Sequence, residues 1–291
     1  MTQSLAATAT GMELRHVAKS YGTLPARQQV IGDVSFNVEP GELTALVGPS
    51  GCGKSTLVNL IAGFEAADAG TIRLNGKRIS GPGHDRMVVL QESALLPWLS
   101  AYDNVVFGPK MRGELKGRAL REEAMRLLRR VGLVEFADKY PGQLSGGMQR
   151  RLELARALIN RPAVMIMDEP FRGLDAMTRE MMQEFFLRLF EDNRRTTLFV
   201  TSEVEEAIFL ADRLVILSNR PTAVCDVVRV PLPRPRDVHM LSAPEAYAVK
   251  RHALALLHAE ALRTFNRGAS PGASARCDAA TDQTSLRGDV A

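Results

Sequence analysis

The sequence predicts an α/β fold: a mostly parallel sheet carrying a phosphate-binding loop, with an antiparallel β subdomain beside it and a helical subdomain inserted within it. Three observations carry that expectation. Residues 48–56 read GPSGCGKST, the five residues before them, Leu43–Val47, form a short apolar run, and residues 55–63 repeat Leu57, Leu60 and Ile61 at helical spacing. Strand, glycine loop and helix in that order is the context that the motif G-x-x-x-x-G-K-[ST] requires.

Further runs extend the sheet. Residues 87–90, 163–167, 197–201 and 214–217 are short and largely apolar, as strands buried on both faces must be. Upstream, Val34, Phe36 and Val38 alternate, and Asn75-Gly76 sits as a turn between the strand-like halves of residues 71–79, so this region predicts antiparallel pairing. No internal repeat is evident. Ser242-Ala243-Pro244-Glu245 reads as a capping box with proline early in the helix. It would open a helix with Tyr247, Leu254, Leu257, Ala261 and Phe265 on one face, packed on the core or on a second subunit. The expected division is a disordered tail at 1–11 and a single domain at 12–235, with the helical subdomain at about 92–160. A helical extension follows at 236–267, then a disordered Ala-, Ser-, Gly- and Asp-rich tail at 268–291.

The chemistry starts at the loop. Gly48, Pro49, Ser50, Gly51, Cys52, Gly53, Lys54, Ser55 and Thr56 form a cradle whose glycines let backbone N–H groups face phosphate oxygens, at a helix N-terminus that favours negative charge. Lys54 reaches the outer phosphates and the Ser55 hydroxyl is placed to hold Mg²⁺. The run at 163–167 ends at Asp168 and Glu169. A carboxylate at such a strand end can hold Mg²⁺ across from Ser55, and the adjacent Glu169 can polarise an attacking water as general base. ATP and Mg²⁺ are the expected ligands.

Residues 144–147, LSGG, stand ahead of a helical pattern at 148–158 and the strand that ends in MDEP. With that string the chain resembles the nucleotide-binding subunits of ATP-binding cassette (ABC) transporters, over roughly residues 12–235. The resemblance implies a phosphate-loop NTPase core of ABC type, working as a pair of subunits placed head to tail. Each subunit's Ser145, Gly146 and Gly147 would then close over the γ-phosphate bound to the other. A serine hydroxyl, two backbone N–H groups and a helix N-terminus suit that anion. The resemblance also places Tyr21 against adenine, where packing alone is the alternative, and Gln91 beside Mg²⁺ and the attacking water. Gly173-Leu174-Asp175 corresponds to the loop that crosses the dimer interface, with Arg172 replacing a smaller residue.

One departure bears on turnover. The family's switch histidine, which bonds the γ-phosphate and helps fix the water and the base, is Ser202 here, in Val200-Thr201-Ser202-Glu203. A serine can donate one hydrogen bond but is shorter and uncharged. Either Glu169 suffices as base with Ser202 as γ-phosphate sensor, or hydrolysis is slow and the subunit is regulatory.

Residues 90–105, LQESALLPWLSAYDNV, and 209–220, FLADRLVILSNR, resemble importers of the nitrate, sulfonate and taurine group. Leu95, Leu96, Pro97 and Trp98 are then either a surface that accepts a permease helix or a buried loop. The implied partners are a second ATP-binding subunit (a homodimer), integral-membrane permease subunits and, through them, a periplasmic or lipid-anchored substrate-binding protein. The implied place is the cytoplasmic face of the plasma (inner) membrane. A soluble ABC ATPase acting on ribosomes or DNA is the competing class; it usually carries two cassettes or a long coiled-coil insertion.

Composition narrows the classes. A net charge of +4, from 37 basic and 33 acidic residues, is too small to argue nucleic acid. The arginines between 112 and 130 alternate with Leu120, Ala124, Leu127, Leu128 and Val131, as the solvated face of a helix would. Cys52, Cys225 and Cys277 have neither metal spacing nor a disulfide framework. No apolar run reaches the ~18–20 residues that span a bilayer, and the start of the chain lacks an export pattern.

Overall fold

The computed structural model describes residues 11–23, 26–114 and 116–268, with the side chains of 264–268 outside the description. The tails expected at 1–11 and 268–291 lie outside the described residues, apart from Gly11 and Gly268, as do Cys277 and the side chain of Phe265. The described residues build one ten-stranded sheet. Strands β1 (Met12–Tyr21), β2 (Gln28–Val38), β4 (Ala69–Leu74) and β5 (Lys77–Arg78) pair antiparallel at one end. Asn75 and Gly76 turn the β4–β5 hairpin with φ of 52° and 77°, the positive pair that a two-residue hairpin needs.

The other half is parallel. In the order β9 (Arg213–Leu217), β3 (Leu43–Val47), β8 (Thr196–Thr201), β7 (Val164–Asp168) and β6 (Arg86–Val89), the strands sit at the positions expected from the apolar runs. Strand β10 (Thr222–Arg229) is the addition. It runs antiparallel to β9 and pairs parallel to β2 at Thr222 and Ala223, joining the two halves into one sheet.

Period-2 alternation divides the parallel strands between two cores. Val164, Ile166, Leu198, Val200, Val215 and Leu217 face α1 (Lys54–Ala62) and the antiparallel strands. Met165, Met167, Phe199, Leu214 and Ile216 face α5 (Ala176–Asp192) and α6 (Val204–Leu210). Since β3 is followed by a helix on one face and β7 and β8 by helices on the other, a crevice opens at their carboxyl ends.

Helices α2 (Ala101–Arg112), α3 (Gly117–Arg130) and α4 (Gly146–Ile159) fill the stretch between β6 and β7. Leu120, Ala124, Leu127 and Leu128 of α3 are buried, while Arg118 and Arg126 lie outside, paired with Glu122 and Glu123.

The last helix, α7 (Pro244–Gly268), begins one residue later than the capping box implied. Ala243 is the extended residue whose carbonyl accepts the first helical bond, from Tyr247 N–H at 3.0 Å, and Ser242 ends a preceding 3-10 turn. The buried face also differs from expectation. Ala246, Val249, Ala253 and Glu260 face inward, whereas Tyr247 is 62% exposed and Leu254 and Ala261 are exposed. Among the expected residues whose side chains are described, Leu257, half-buried, is the one that packs on the core. Two of the inward residues are alanines, and their small side chains let α7 lie close to its neighbours α6 and β9.

A buried arginine pair closes the segment leading to α7. Arg236 donates to the carbonyls of Ile208, Phe209 and Ala211 at 3.0, 3.2 and 2.7 Å, satisfying groups at the end of α6 that no helical N–H reaches. Arg234 binds Asp212 at 2.7 Å and stacks 4.9 Å over Phe190. Burial and neighbouring Arg234 pull the Arg236 guanidinium down to about 10, so it stays charged at neutral pH. Replacing it leaves buried carbonyls without donors. Arg236→Ala is expected to lower stability by about 3 kcal/mol, read from urea unfolding; a change under half that size would show that water satisfies those carbonyls.

Candidate active site

Strand β3 runs without a break into the glycine loop, and α1 starts at Lys54. Gly53 has φ of +117°, and a Cβ there would come within 2.9 Å of Ile31 and 3.1 Å of Val30, so a glycine lets the loop lie against β2. The Thr222 hydroxyl of β10 contacts the Cys52 carbonyl and donates within reach of the Val30 carbonyl at 3.0 Å. Thr222 is thus a support of the loop that the motif does not reveal. Cys52 packs inward, with its thiol pushed up by burial, so its side chain belongs to the core and only its backbone faces the cradle. Lys54 is 6% exposed, and its ammonium donates to the carbonyls of Gly48 and Pro49 at 2.9 and 3.1 Å. The loop thereby holds its own cation at the mouth of the cradle.

The carboxyl end of β7 brings Asp168 and Glu169 to the same place. Burial pushes the Asp168 carboxyl up, a hydrogen bond from Ser55 pulls it back, and the neighbouring Glu169 charge raises it again. Glu169 has φ of +43°, an uncommon value for a residue with a side chain, and its N–H is fixed to the Val200 carbonyl at 2.8 Å. Its side chain is 9% exposed, 3.7 Å from the Lys54 ammonium through one oxygen and 2.7 Å from Arg172 through the other. The hydroxyl and carboxylate at Ser55 and Asp168 are hard oxygen ligands of the type that suits Mg²⁺, which takes few protein ligands and keeps water and phosphate for the rest. Among the described residues, no group of three His, Cys, Asp or Glu able to hold a metal occurs.

Ser202 follows β8 and is exposed, without a hydrogen bond to another described residue. It lines a cavity of about 230 Å³ together with Ser50, Glu169, Arg172 and Arg179. Tyr21, at the end of β1, is half exposed; its hydroxyl donates to Glu65 at 2.5 Å and reaches Thr56, which brings the ring beside the start of α1.

Gln91 follows β6 with its side chain exposed, but its backbone is tied down. Arg150 of α4 donates to the Leu90 and Gln91 carbonyls, both at 2.7 Å, and pairs with Glu153 at 2.6 Å. Glu153 accepts from Ala94 N–H at 2.7 Å, and Arg156 donates to the Ala94 carbonyl at 2.5 Å. Burial pushes the Glu153 carboxyl up and the Arg150 guanidinium down, a cost that their direct contact offsets. The three-residue spacing of Arg150, Glu153 and Arg156 puts them on one face of α4, a signal in the sequence whose target it could not name. Just beyond, Leu95 is buried while Trp98 is 70% exposed, so the loop is anchored by one apolar residue and displays another.

Ser145 caps α4, its hydroxyl accepting from Met148 N–H at 3.3 Å. A Cβ on Gly147 would meet Thr178 of α5 at 3.3 Å, so the glycine allows the close approach of the two helix starts. Ser145, Gly146 and Gly147 share a groove of about 700 Å³ with Gly173, Leu174 and Asp175. No residue of the phosphate loop lines it. Within one chain, then, the structure gathers the loop, Asp168, Glu169 and Ser202, and leaves the signature on a separate surface.

The match to known proteins follows the same outline. A family model described as ABC transporter matches residues 31–172. The bicarbonate transport ATP-binding protein CmpD of Synechococcus elongatus is 44% identical over 252 residues, covering 84% of this chain and 89% of that protein. The taurine import ATP-binding protein TauB of Chromobacterium violaceum is 48% identical over 71% of this chain and 79% of its own length. The nitrate import ATP-binding protein NrtD of Synechococcus elongatus is 44% identical over 81% of this chain and 86% of its own. Among solved structures, the dimeric ATP-binding cassette MJ0796 in a post-hydrolysis state with ADP and Pi has a TM-score of 0.65 and 27% identity. That likeness covers 76% of this chain and 100% of the other. The chain belongs to the ABC transporter family, among its ATP-binding subunits.

Proposed function

We propose that this chain is the ATP-hydrolysing, energy-coupling subunit of an importer for a small anion of the nitrate, sulfonate, taurine or bicarbonate kind. The observation that carries the reading is the convergence of Lys54, Ser55, Asp168, Glu169 and Ser202 on one crevice at the ends of β3, β7 and β8. The substrate class rests on the relatives, whose names specify bicarbonate, taurine and nitrate.

In this reading Gly48, Pro49, Ser50, Gly51, Cys52, Gly53 and Thr56 offer backbone or hydroxyl donors to the phosphates. Lys54 exchanges its loop carbonyls for phosphate oxygens, and Tyr21 lies against the base. Ser55 and Asp168 would hold Mg²⁺, with Gln91 nearby. When bound, that ion would offset charge on the phosphate oxygens during transfer. Glu169 accepts the proton of the attacking water, and the Ser202 hydroxyl donates to the γ-phosphate. Because the signature groove stands apart from the phosphate loop, a second copy of the chain supplies Ser145, Gly146 and Gly147 to close the site. The MJ0796 cassette, similar to this chain, is dimeric.

No helix among the described residues is long and apolar enough to cross a membrane. In the proposed reading, work on a substrate passes through permease subunits at the cytoplasmic face of the membrane, with a substrate-binding protein beyond them. Trp98, with exposed Phe107 and Met111 one turn apart on α2, is the surface we assign to that contact. We also retain residues 12–235 as the ATPase domain, 92–160 as its helical subdomain and 236–267 as an extension. One observation favours a second reading, a hydrolysis-impaired regulatory subunit: Ser202 is exposed and unsupported where a longer cationic side chain is expected.

Turnover separates the two readings. Glu169→Gln is expected to lower MgATP hydrolysis about 100-fold or more while nucleotide binding persists; negligible wild-type turnover that Ser202→His restores would establish the regulatory reading. Ser202→Ala is expected to reduce turnover several-fold at nearly constant ATP affinity, and unchanged turnover would make Ser202 a bystander. For the substrate, a strain lacking the gene should fail to grow on one of nitrate, taurine, an alkanesulfonate or limiting bicarbonate. Normal growth on all of them would discard the anion assignment.

A further inference from the structure

We propose that Arg172 is a positioning residue for hydrolysis, orienting the Glu169 carboxylate through the oxygen that Lys54 does not approach. The inference rests on Glu169 being the base. A general base works only if its carboxylate is held in the line of the attacking water, because small misplacements are costly. Two cations approach Glu169. Lys54 stands 3.7 Å from one oxygen, beyond hydrogen-bond distance, and is already engaged by Gly48 and Pro49. It is also the residue that phosphate draws away. Arg172 donates to the other oxygen at 2.7 Å, and it is the sole hydrogen-bond donor to that carboxylate among the described residues. Ser202, across the shared cavity, donates to nothing there.

The arginine is not an arm that happens to fall on Glu169. Its own N–H donates to the Glu169 carbonyl at 3.1 Å, closing a tight turn. Between them Phe171 is 1% exposed and packs on Phe186 and Phe199 at centroid distances of 6.2 and 5.8 Å. The turn is therefore nailed to the core, and the guanidinium starts from a fixed point. Although its side chain is 57% exposed, its charged end rests on a carboxylate that is 9% exposed, where a charge-assisted bond is worth most. The two tasks of one missing side chain are thus divided. Ser202 lines the cavity without a bond to Glu169, and Arg172 holds the base.

The test measures MgATP hydrolysis by the full chain for wild type, Arg172→Ala, Arg172→Lys, Arg172→Ala with Ser202→His, and Glu169→Gln, beside ATP affinity and thermal unfolding. Arg172→Ala should lower kcat about 10- to 100-fold with KM and ATP affinity within about twofold and an unchanged melting temperature. Lysine at 172, or histidine at 202 in the alanine background, should recover part of the loss. A kcat for Arg172→Ala equal to wild type would overturn the proposal, and a raised kcat would show that the guanidinium restrains the base instead. A loss that neither replacement recovers would mark a structural role and equally reject it. Turnover retained by Glu169→Gln would fail the assignment of the base itself, a result that the Arg172 variants alone could not produce.

Discussion

Strand β3 has no solvent side: all five of its residues are buried, with Ala45 and Val47 in one core and Leu46 in the other. The rest of the site depends on that constraint. A strand buried on both faces must send its connection over one face and its neighbours' connections over the other. Its carboxyl end then opens into the one crevice where backbone N–H groups can face a ligand instead of a packed layer. The loop that leaves β3 inherits the rigidity of the strand. Lys54 and Ser55 are presented at a fixed height against Asp168 and Glu169, which leave β7 two strands away.

The site also carries local strain. Glu169 sits at a positive φ, held there by a backbone bond to β8 and by the Phe171 anchor that follows it. Such conformations persist where surrounding structure over-determines them, and they gather at functional positions. The same turn gives Arg172 its approach to the carboxylate, so the features that look expensive in isolation produce a single orientation of one side chain.

What could be read from the sequence was what is local. The phosphate loop, the five parallel strands and the Asn75-Gly76 turn each depend on residues within a few positions of one another, and all occur where the pattern put them. The face of α7 did not, because large apolar residues suggested an inward stripe while the close approach to α6 and β9 selected alanines. Trp98 and Leu95 could not be separated from sequence, since one loop both anchors and displays. Arg172, Arg150 and Thr222 were missed or left unassigned as supports for a common reason. Their partners lie across the fold or depend on a backbone turn that composition does not encode.

The buried contacts of α4 have a thermodynamic meaning. Arg150, Glu153 and Arg156 fasten the helix that begins at Ser145 to the carbonyls of Leu90, Gln91 and Ala94, a few residues before Trp98. The helix that begins at Ser145 and the Trp98 loop are therefore tied together by these hydrogen bonds. Under the proposed function, a partner at Trp98 that favours one setting of this tie would shift nucleotide affinity at Ser145, and nucleotide would shift the partner's affinity by an equal free energy. A single helix face of three charged residues thus joins the two surfaces to which the proposed contacts are assigned.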